Sequence, residues 1–289
     1  MGRSSTAAKA VARPAAASSR RIFLQYLGGA AIGAAAGGAA HGFLYERHHI
    51  ELTRIAFPVP GLPESLRGLR LGLLTDIHRS QTVSHEMVAS AVDMLMAERP
   101  DLIVLGGDYI SWRDRRYVHP AADALAPLSA PHGVIAILGN HDDDRDMPSA
   151  LTAKGFTVLK DARTRVTIRD DALDFAGVRF WTYKVGDLAH VMRGALPHTI
   201  LLAHTPKRLV EAQQLAIPAV ISGHTHGGQI VLPVLGAVAA REFPVIAGLA
   251  QRSGTTIFVS RGVGTVYVPI RINCPPEVAV LTLEPAMRA

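Results

Sequence analysis

The chain has one cysteine, Cys274, in 289 residues, so no intramolecular disulfide can form. A small packed thiol fits a cytosolic chain and equally one that folds before export. Acids are missing altogether from residues 1–40, where five cations stand: Arg3, Lys9, Arg13, Arg20 and Arg21. Charge of either sign is missing from 22 to 40. These absences reinterpret the net charge of +6 and the pI near 9.8. Taking the five leader cations from 30 Lys and Arg leaves 25 against 24 acids, so the rest of the chain is nearly neutral. The near-neutral body argues against a strong backbone-binding surface, and no nucleic-acid partner is expected. No internal repeat is visible beyond a strand–helix rhythm, and no low-complexity segment follows residue 40.

The leader reads as an address. Ser19-Arg20-Arg21-Ile22-Phe23-Leu24 resembles the twin-arginine export signal. The Ala/Gly-rich run behind it is only weakly hydrophobic, which keeps such a signal away from the general secretion route. Residues 1–40 are thus expected to be a twin-arginine signal peptide or membrane anchor, and 41–289 the working domain. Cations before the apolar run place residues 1–21 in the cytoplasm. The body is then periplasmic or anchored on the outer side of the cytoplasmic membrane. The expected partners are the translocation machinery and, through the leader, the membrane surface. Small residues at 38–40 permit cleavage; 19 uncharged residues also suffice to remain as an anchor.

The body opens with a predicted strand over Ile50–Phe57, broken by Pro58, Pro60, Gly61 and Pro63. Leu71–Leu74, Leu102–Leu105 and Val134–Leu138 are continuous apolar runs, predicted as buried strands. Helices are expected over 84–98 and 119–129. Strand–helix–strand units of this kind form parallel sheets covered on both faces, with ligands beyond the strands' carboxyl ends. The second half gives short strands at Thr157–Leu159, Val166–Ile168, Leu173–Ala176, Arg179–Trp181, Ile200–Leu202, Ala219–Ile221, Ile230–Leu232, Thr256–Val259 and Val278–Leu283, and a helix near 207–216. They are expected to build a second, mixed sheet packed on the first.

The strand ends carry the chemistry. Asp76-Ile77-His78, Gly106-Gly107-Asp108, Gly139-Asn140-His141-Asp142, Ala203-His204 and Gly223-His224-Thr225-His226-Gly227-Gly228 each follow an apolar run. Asp76, Asp108 and Asn140 are equally spaced, so three strand–helix turns bring them to one rim. Carboxylates, an amide and imidazoles, with no thiolate, suit Mn²⁺, Fe or Zn²⁺. A carboxylate between two ions can hold them ~3.5–4 Å apart, and such ions make a hydroxide available from water at neutral pH.

In this order the five motifs resemble those of the calcineurin-like metallophosphoesterases, across residues 70–228. The resemblance implies a four-layer α/β/β/α sandwich of two mixed sheets, with the metal site at the C-terminal rim. It implies two divalent ions, Mn most readily, with Fe or Zn as alternatives. Asp76, His78 and His226 would hold one ion, Asn140, His204 and His224 the other, and Asp108 would bridge them. His141 would be the general acid, oriented by Asp142. Attack by a bridging hydroxide would cleave a phosphodiester in a small molecule, a phospholipid or a cell-envelope polymer.

The segments Gly227–Ile230, Ser260–Thr265 and Pro269–Glu277 resemble a branch of exported or membrane-associated bacterial phosphodiesterases. Alternatives are a UDP-2,3-diacylglucosamine-type pyrophosphohydrolase, whose reaction lies on the cytoplasmic side, and a non-catalytic envelope binding protein. Outside the motifs, Trp112–Tyr117 is a loop that could grip a head group or simply face solvent. Arg261 and Arg271 could reach substrate or form ordinary salt bridges.

Overall fold

The computed structural model describes residues 19–237 and 239–287. Arg3, Lys9 and Arg13 of the expected leader lie outside the described residues. The chain divides into two compact units, Met1–Ala40 and His41–Ala289. In the first, Arg20 and Arg21 stand in the opening turn of helix α1 (Ser19–Leu44), which is long and apolar enough to cross a membrane.

The second unit runs β1 (Glu51–Pro60), β2 (Arg70–Leu74), α2 (His85–Ala97), β3 (Leu102–Leu105), α3 (Val118–Leu125), β4 (Val134–Ala136), α4 (Asp146–Thr152), β5 (Thr157–Val158), β6 (Ala162–Ile168) and β7 (Asp171–Val178). It continues through α5 (Val185–Val191), β8 (Ile200–Ala203), α6 (Leu209–Gln214), β9 (Ala219–Ser222), β10 (Val231–Leu232), β11 (Gly236–Ala237), β12 (Gly248–Arg252), β13 (Thr255–Val259) and β14 (Glu277–Ala286).

Two six-stranded mixed sheets form, ordered β1-β14-β2-β3-β4-β5 and β12-β13-β9-β8-β7-β6. Strand alternation explains the layering. Ile103 and Leu105 of β3 face α2, α3 and α4, among Val88, Leu95 and Leu125. Their neighbours Leu102 and Val104 face the other sheet, among Phe175, Leu202 and Phe258. In β8, Leu201 turns to α5 and α6, with Leu188 and Leu209, while Ile200 and Leu202 join the middle layer. Three apolar cores between four layers make the α/β/β/α sandwich.

Several elements depart from the sequence expectation. Thr157–Val158 and Val278–Leu283 both belong to the first sheet, the former at its edge parallel to β4 and the latter inserted antiparallel beside β2. β1 continues through Pro58 and Pro60, which an edge strand tolerates because one side of its ladder is unpaired. Arg179–Trp181 is a turn, its start fixed by the Arg179 N–H donating to Asp161 (2.9 Å). Ile230–Leu232 contributes only a two-residue strand, in a separate ribbon with β11.

Candidate metal centre

The site forms where the C-terminal rims of the two sheets meet. Asp76 follows β2, Asp108 follows β3 and Asn140 follows β4; His204 and His224 follow β8 and β9 of the other sheet. Backbone bonds extend the ladders into these loops, from Asp76 N–H to Gly107 O and from His78 N–H to Asp108 O, both 2.9 Å. The sheets are tied across the site. The His224 N–H donates to both Asp76 oxygens (3.0 Å), and His204 Nδ1 bonds the Gly106 carbonyl (2.8 Å).

The backbone there is strained. Asp76, His78, Asp108, His224 and His226 all have φ between 50° and 71°, in the left-handed region. Each such residue costs about 1–2 kcal/mol, and clustering of this kind marks functional sites. Glycines make room beside the carboxylates. A Cβ on Gly139 would overlap Asp108 Oδ1, and one on Gly223 would overlap Asp76 Oδ2.

Two groups of ligand-type atoms result: Asp76, His78 and His226, then Asp108, His204 and His224. In the first, the Nε2 atoms of His78 and His226 lie 3.1 Å apart, and His226 Nε2 is 3.4 Å from Asp76 Oδ1. In the second, His204 Nε2 is 3.1 Å from Asp108 Oδ2. That same oxygen is 3.5 Å from His78 Nε2, so it reaches both groups. Asn140 lines the cavity with Asp108, His141, His224 and His226.

The donors fit divalent metals. The buried Asn140 Oδ1 has no hydrogen-bond partner, and His204, whose Nδ1 bonds the Gly106 carbonyl, points its Nε2 at the carboxylates, where a metal would take the place of its proton. Burial lowers His78 to about 4 and His224 to about 3, so both imidazoles are neutral at physiological pH. Burial alone would lower His204 as well, but Asp108 and Asp76 outweigh it and raise it to about 10. Clustered buried charges of this kind are stabilised by a cation among them.

His141 lies at the mouth. Its N–H donates to Asp108 Oδ1 (2.8 Å), and its Nδ1 accepts from the Trp112 N–H (3.0 Å), which leaves Nε2 to carry the ring proton. Asp142 occupies a different place from the expected one. Its carboxylate accepts N–H bonds from Asp108, Tyr109 and Gly139, each 2.8 Å, and so clamps two ligand loops together. The backbone of Trp112, not Asp142, orients the His141 ring.

Two arginines are also placed differently. Arg271 is wholly buried; its guanidinium donates to the carbonyls of Arg261, Gly262, Gly264 and Cys274, and its Nη2 lies 3.4 Å from His226 Nδ1. It braces the His226 loop and is out of substrate's reach. Arg261 pairs with Glu51 and Glu277. Sequence reasoning missed Ser111, whose Oγ meets His78 Nδ1 at 3.1 Å; its position just after Gly106-Gly107-Asp108 was the available signal. It also missed the apolar walls of the cavity, about 360 Å³, supplied by Phe243, Val266 and Val268.

A model of the calcineurin-like phosphoesterase family matches residues 69–228. The chain belongs to this family. Being a metallophosphoesterase, it is a phosphoric ester hydrolase. It is 30% identical over 288 residues to the uncharacterized metallophosphoesterase YkuE of Bacillus subtilis, covering 92% of this chain and 98% of that one. It is 29% identical to the phosphodiesterase YaeI of Escherichia coli, covering 92% and 99%. A zebrafish (Danio rerio) transmembrane protein with a metallophosphoesterase domain is 30% identical, over 86% of this chain and 60% of its own length. The family's chemistry needs divalent metals, and the two ligand groups are candidate sites for them.

Proposed function

We propose that this metallophosphoesterase hydrolyses phosphodiesters with two divalent ions. Asp76, His78 and His226 hold one, Asn140, His204 and His224 hold the other, and Asp108 is shared. The observation that carries this reading is the reach of Asp108 Oδ2 to both groups. The donor set favours Mn²⁺, with Fe or Zn²⁺ as alternatives. Bound metals would supply Lewis-acid polarisation of the phosphoryl oxygens and acidification of water.

The chain's own residues do the rest. Asp142 fixes the spacing of the Asp108 and Asn140 loops through its three backbone bonds. The Trp112 N–H locks the His141 tautomer, so the proton sits on Nε2, from which it can pass to the departing alkoxide. Apolar walls limit water around the leaving group. The phosphodiester preference is supported by the name of YaeI, which is similar over nearly its full length. The uncharged run behind Arg20-Arg21 supports twin-arginine export, with the leader either removed or kept as an anchor. A body on the outer side argues against the cytoplasmic pyrophosphohydrolase alternative.

The test is hydrolysis of bis-p-nitrophenyl phosphate by the full chain in detergent, stripped of metal and titrated with Mn²⁺. Metal-dependent turnover should fall by roughly three orders of magnitude or more in Asp108→Ala, the scale expected for losing a shared ligand. Metal binding without turnover on any diester would overturn the reading in favour of a binding role.

A further inference from the structure

The surface around the cavity mouth is apolar where a soluble enzyme would be polar. The ribbon β10–β11 ends in four successive apolar residues, Leu232-Pro233-Val234-Leu235, with Val234 fully exposed and Leu235 57% exposed. Exposed apolar runs of this length are functional or they are errors. Val234 also has φ 69°, an outlier for a β-branched residue, which solvent gives no reason to keep. Beside the ribbon, Tyr267 and Val268 are 80% and 45% exposed while lining the cavity that holds His224 and Asn140. Trp112, 60% exposed, stacks edge-on against both Tyr267 and His141.

One segment joins these features to the start of the body. The Arg271 N–H donates to Gly42 O (3.2 Å), so the last turns of α1 within this unit are fastened to residues 270–272. The next residue of that segment accepts from the ribbon, Val231 N–H to Ile272 O (2.8 Å). Its preceding residues are the Tyr267-Val268 loop. Phe43, Leu44 and Tyr45, where the apolar helix ends, are exposed too. Arg241, exposed, donates to Leu235 O and sets a cation beside the ribbon tip. Aliphatic tips, aromatic residues and a flanking cation are the composition of a bilayer-interface surface.

We infer that this face is a membrane-docking surface, and that the substrate is a phosphodiester lipid presented to the cavity mouth from the bilayer. The lipid identity rests on the phosphodiesterase reading above; the docking surface does not. The apolar helix supplies the occupant, because a chain anchored through residues 22–40 starts its body at residue 41 with no linker between. Glycerol and the first acyl carbons match the apolar cavity walls, and the head-group phosphate would reach the metal ligands without leaving the interface.

Both tryptophans, Trp112 and Trp181, lie in the body, so the lipid contact can be read by fluorescence. The full chain carrying Trp181→Phe is reconstituted in phosphatidylcholine–phosphatidylglycerol vesicles, with and without bromine at acyl carbons 6 and 7. Bromolipid should quench roughly half of the Trp112 emission, as for an interfacial side chain, and Leu232→Asp/Val234→Asp/Leu235→Asp should abolish most of that quenching. The same triple variant should keep its rate on bis-p-nitrophenyl phosphate within about twofold. On a vesicle-borne p-nitrophenyl phosphodiester lipid it should lose roughly tenfold or more. Unquenched Trp112 would overturn the proposal and leave a soluble or protein partner for this face. Equal losses on both substrates would overturn it as well. Quenching in a wild-type protein that cleaves neither diester would uphold the surface and sink the phosphodiesterase reading.

Discussion

Asp76, His78 and His226 are all buried and touch the cavity only through His226, whereas Asp108, His204 and His224 meet it through Asp108 and the half-buried His224 ring. The two groups share an oxygen and have similar chemistry, yet the second is the more open to the cavity. The sealed group is enclosed by the loops that fix it except at the edge of His226, so its occupant acts mainly as a standing charge. An open group can add a ligand, and exchange will be faster there. The fold dictates the difference. The first group is spanned by Arg271, its carbonyl cage and the glycines of the 262–264 turn, while the second ends at a wall of side chains with a gap between them.

Adding one methyl to either group is the most severe way to probe the contrast. Gly139→Ala drives a Cβ into Asp108, the shared carboxylate, and should remove both ions and lower turnover about a thousandfold. Gly223→Ala drives it into Asp76 and its neighbour Thr75, away from the shared carboxylate. It should cut metal content from two to one and turnover about a hundredfold, read by elemental analysis beside kinetics. Equal metal loss in both variants would show that the groups fill as one unit and that the contrast is only geometric.

Chelation tests the same contrast without mutation. Dialysis of the loaded protein against EDTA should release one equivalent roughly tenfold faster than the second, because the open group is accessible and the sealed one waits for loop opening. A single release phase would break the comparison.

Acid acts on the two groups through their histidines. His78 and His224 have folded pKa values depressed by burial, to about 4 and about 3. Below the ordinary histidine value near 6.5 the unfolded chain therefore binds more protons than the folded one, and stability falls with pH. Each ring should cost the metal-free protein about 1 kcal/mol per pH unit between pH 6 and 4, against an opposing gain at Asp76 and Asp142, whose carboxyls burial raises, so the effect is read as the Tm difference from His224→Asn. His204 runs the other way. Its pKa is raised to about 10, so its contribution is complete below 6.5 and is lost only as pH rises toward 10. A Tm difference between wild type and His224→Asn that is flat from pH 7 to 4 would show that this buried ring is not held neutral.

Much of the centre was legible because each ligand ends an apolar run, and a parallel strand leaves its C-terminal residue on the rim. The α/β class and two packed sheets followed from the same runs, while the four-layer arrangement came with the family resemblance. The placement of β14 was not legible, because its pairing with β2 joins residues some 200 positions apart and both sheets accept an apolar strand equally well. Asp142 looked like a partner of its neighbour His141, but its chain geometry turns the carboxylate into amides of another loop. Arg271 read as a cation for substrate or for an ordinary salt bridge because nothing local announces a cage of carbonyls, which exists only once the 261–264 turn has formed. Val234 and Leu235 lie past the predicted strand Ile230–Leu232, and their exposure depends on a ribbon that pairs with neither sheet.

Ser111→Ala is the mildest change and separates anchoring from ligation. Ser111 Oγ is the partner of His78 Nδ1, while the corresponding partner of His204 in the open group is the Gly106 carbonyl, which no substitution deletes. Removing the hydroxyl leaves the His78 ring in place between Asp108 and His226 but frees its tautomer. Metal affinity of the sealed group should weaken by about tenfold, the lower end for lost outer partners of a ligating histidine. KM for a diester should stay level, because substrate meets the open side. The result that contradicts this is a raised KM with unchanged metal affinity. Ser111 would then act through the cavity rather than through His78, and the sealed group would owe its order to packing alone.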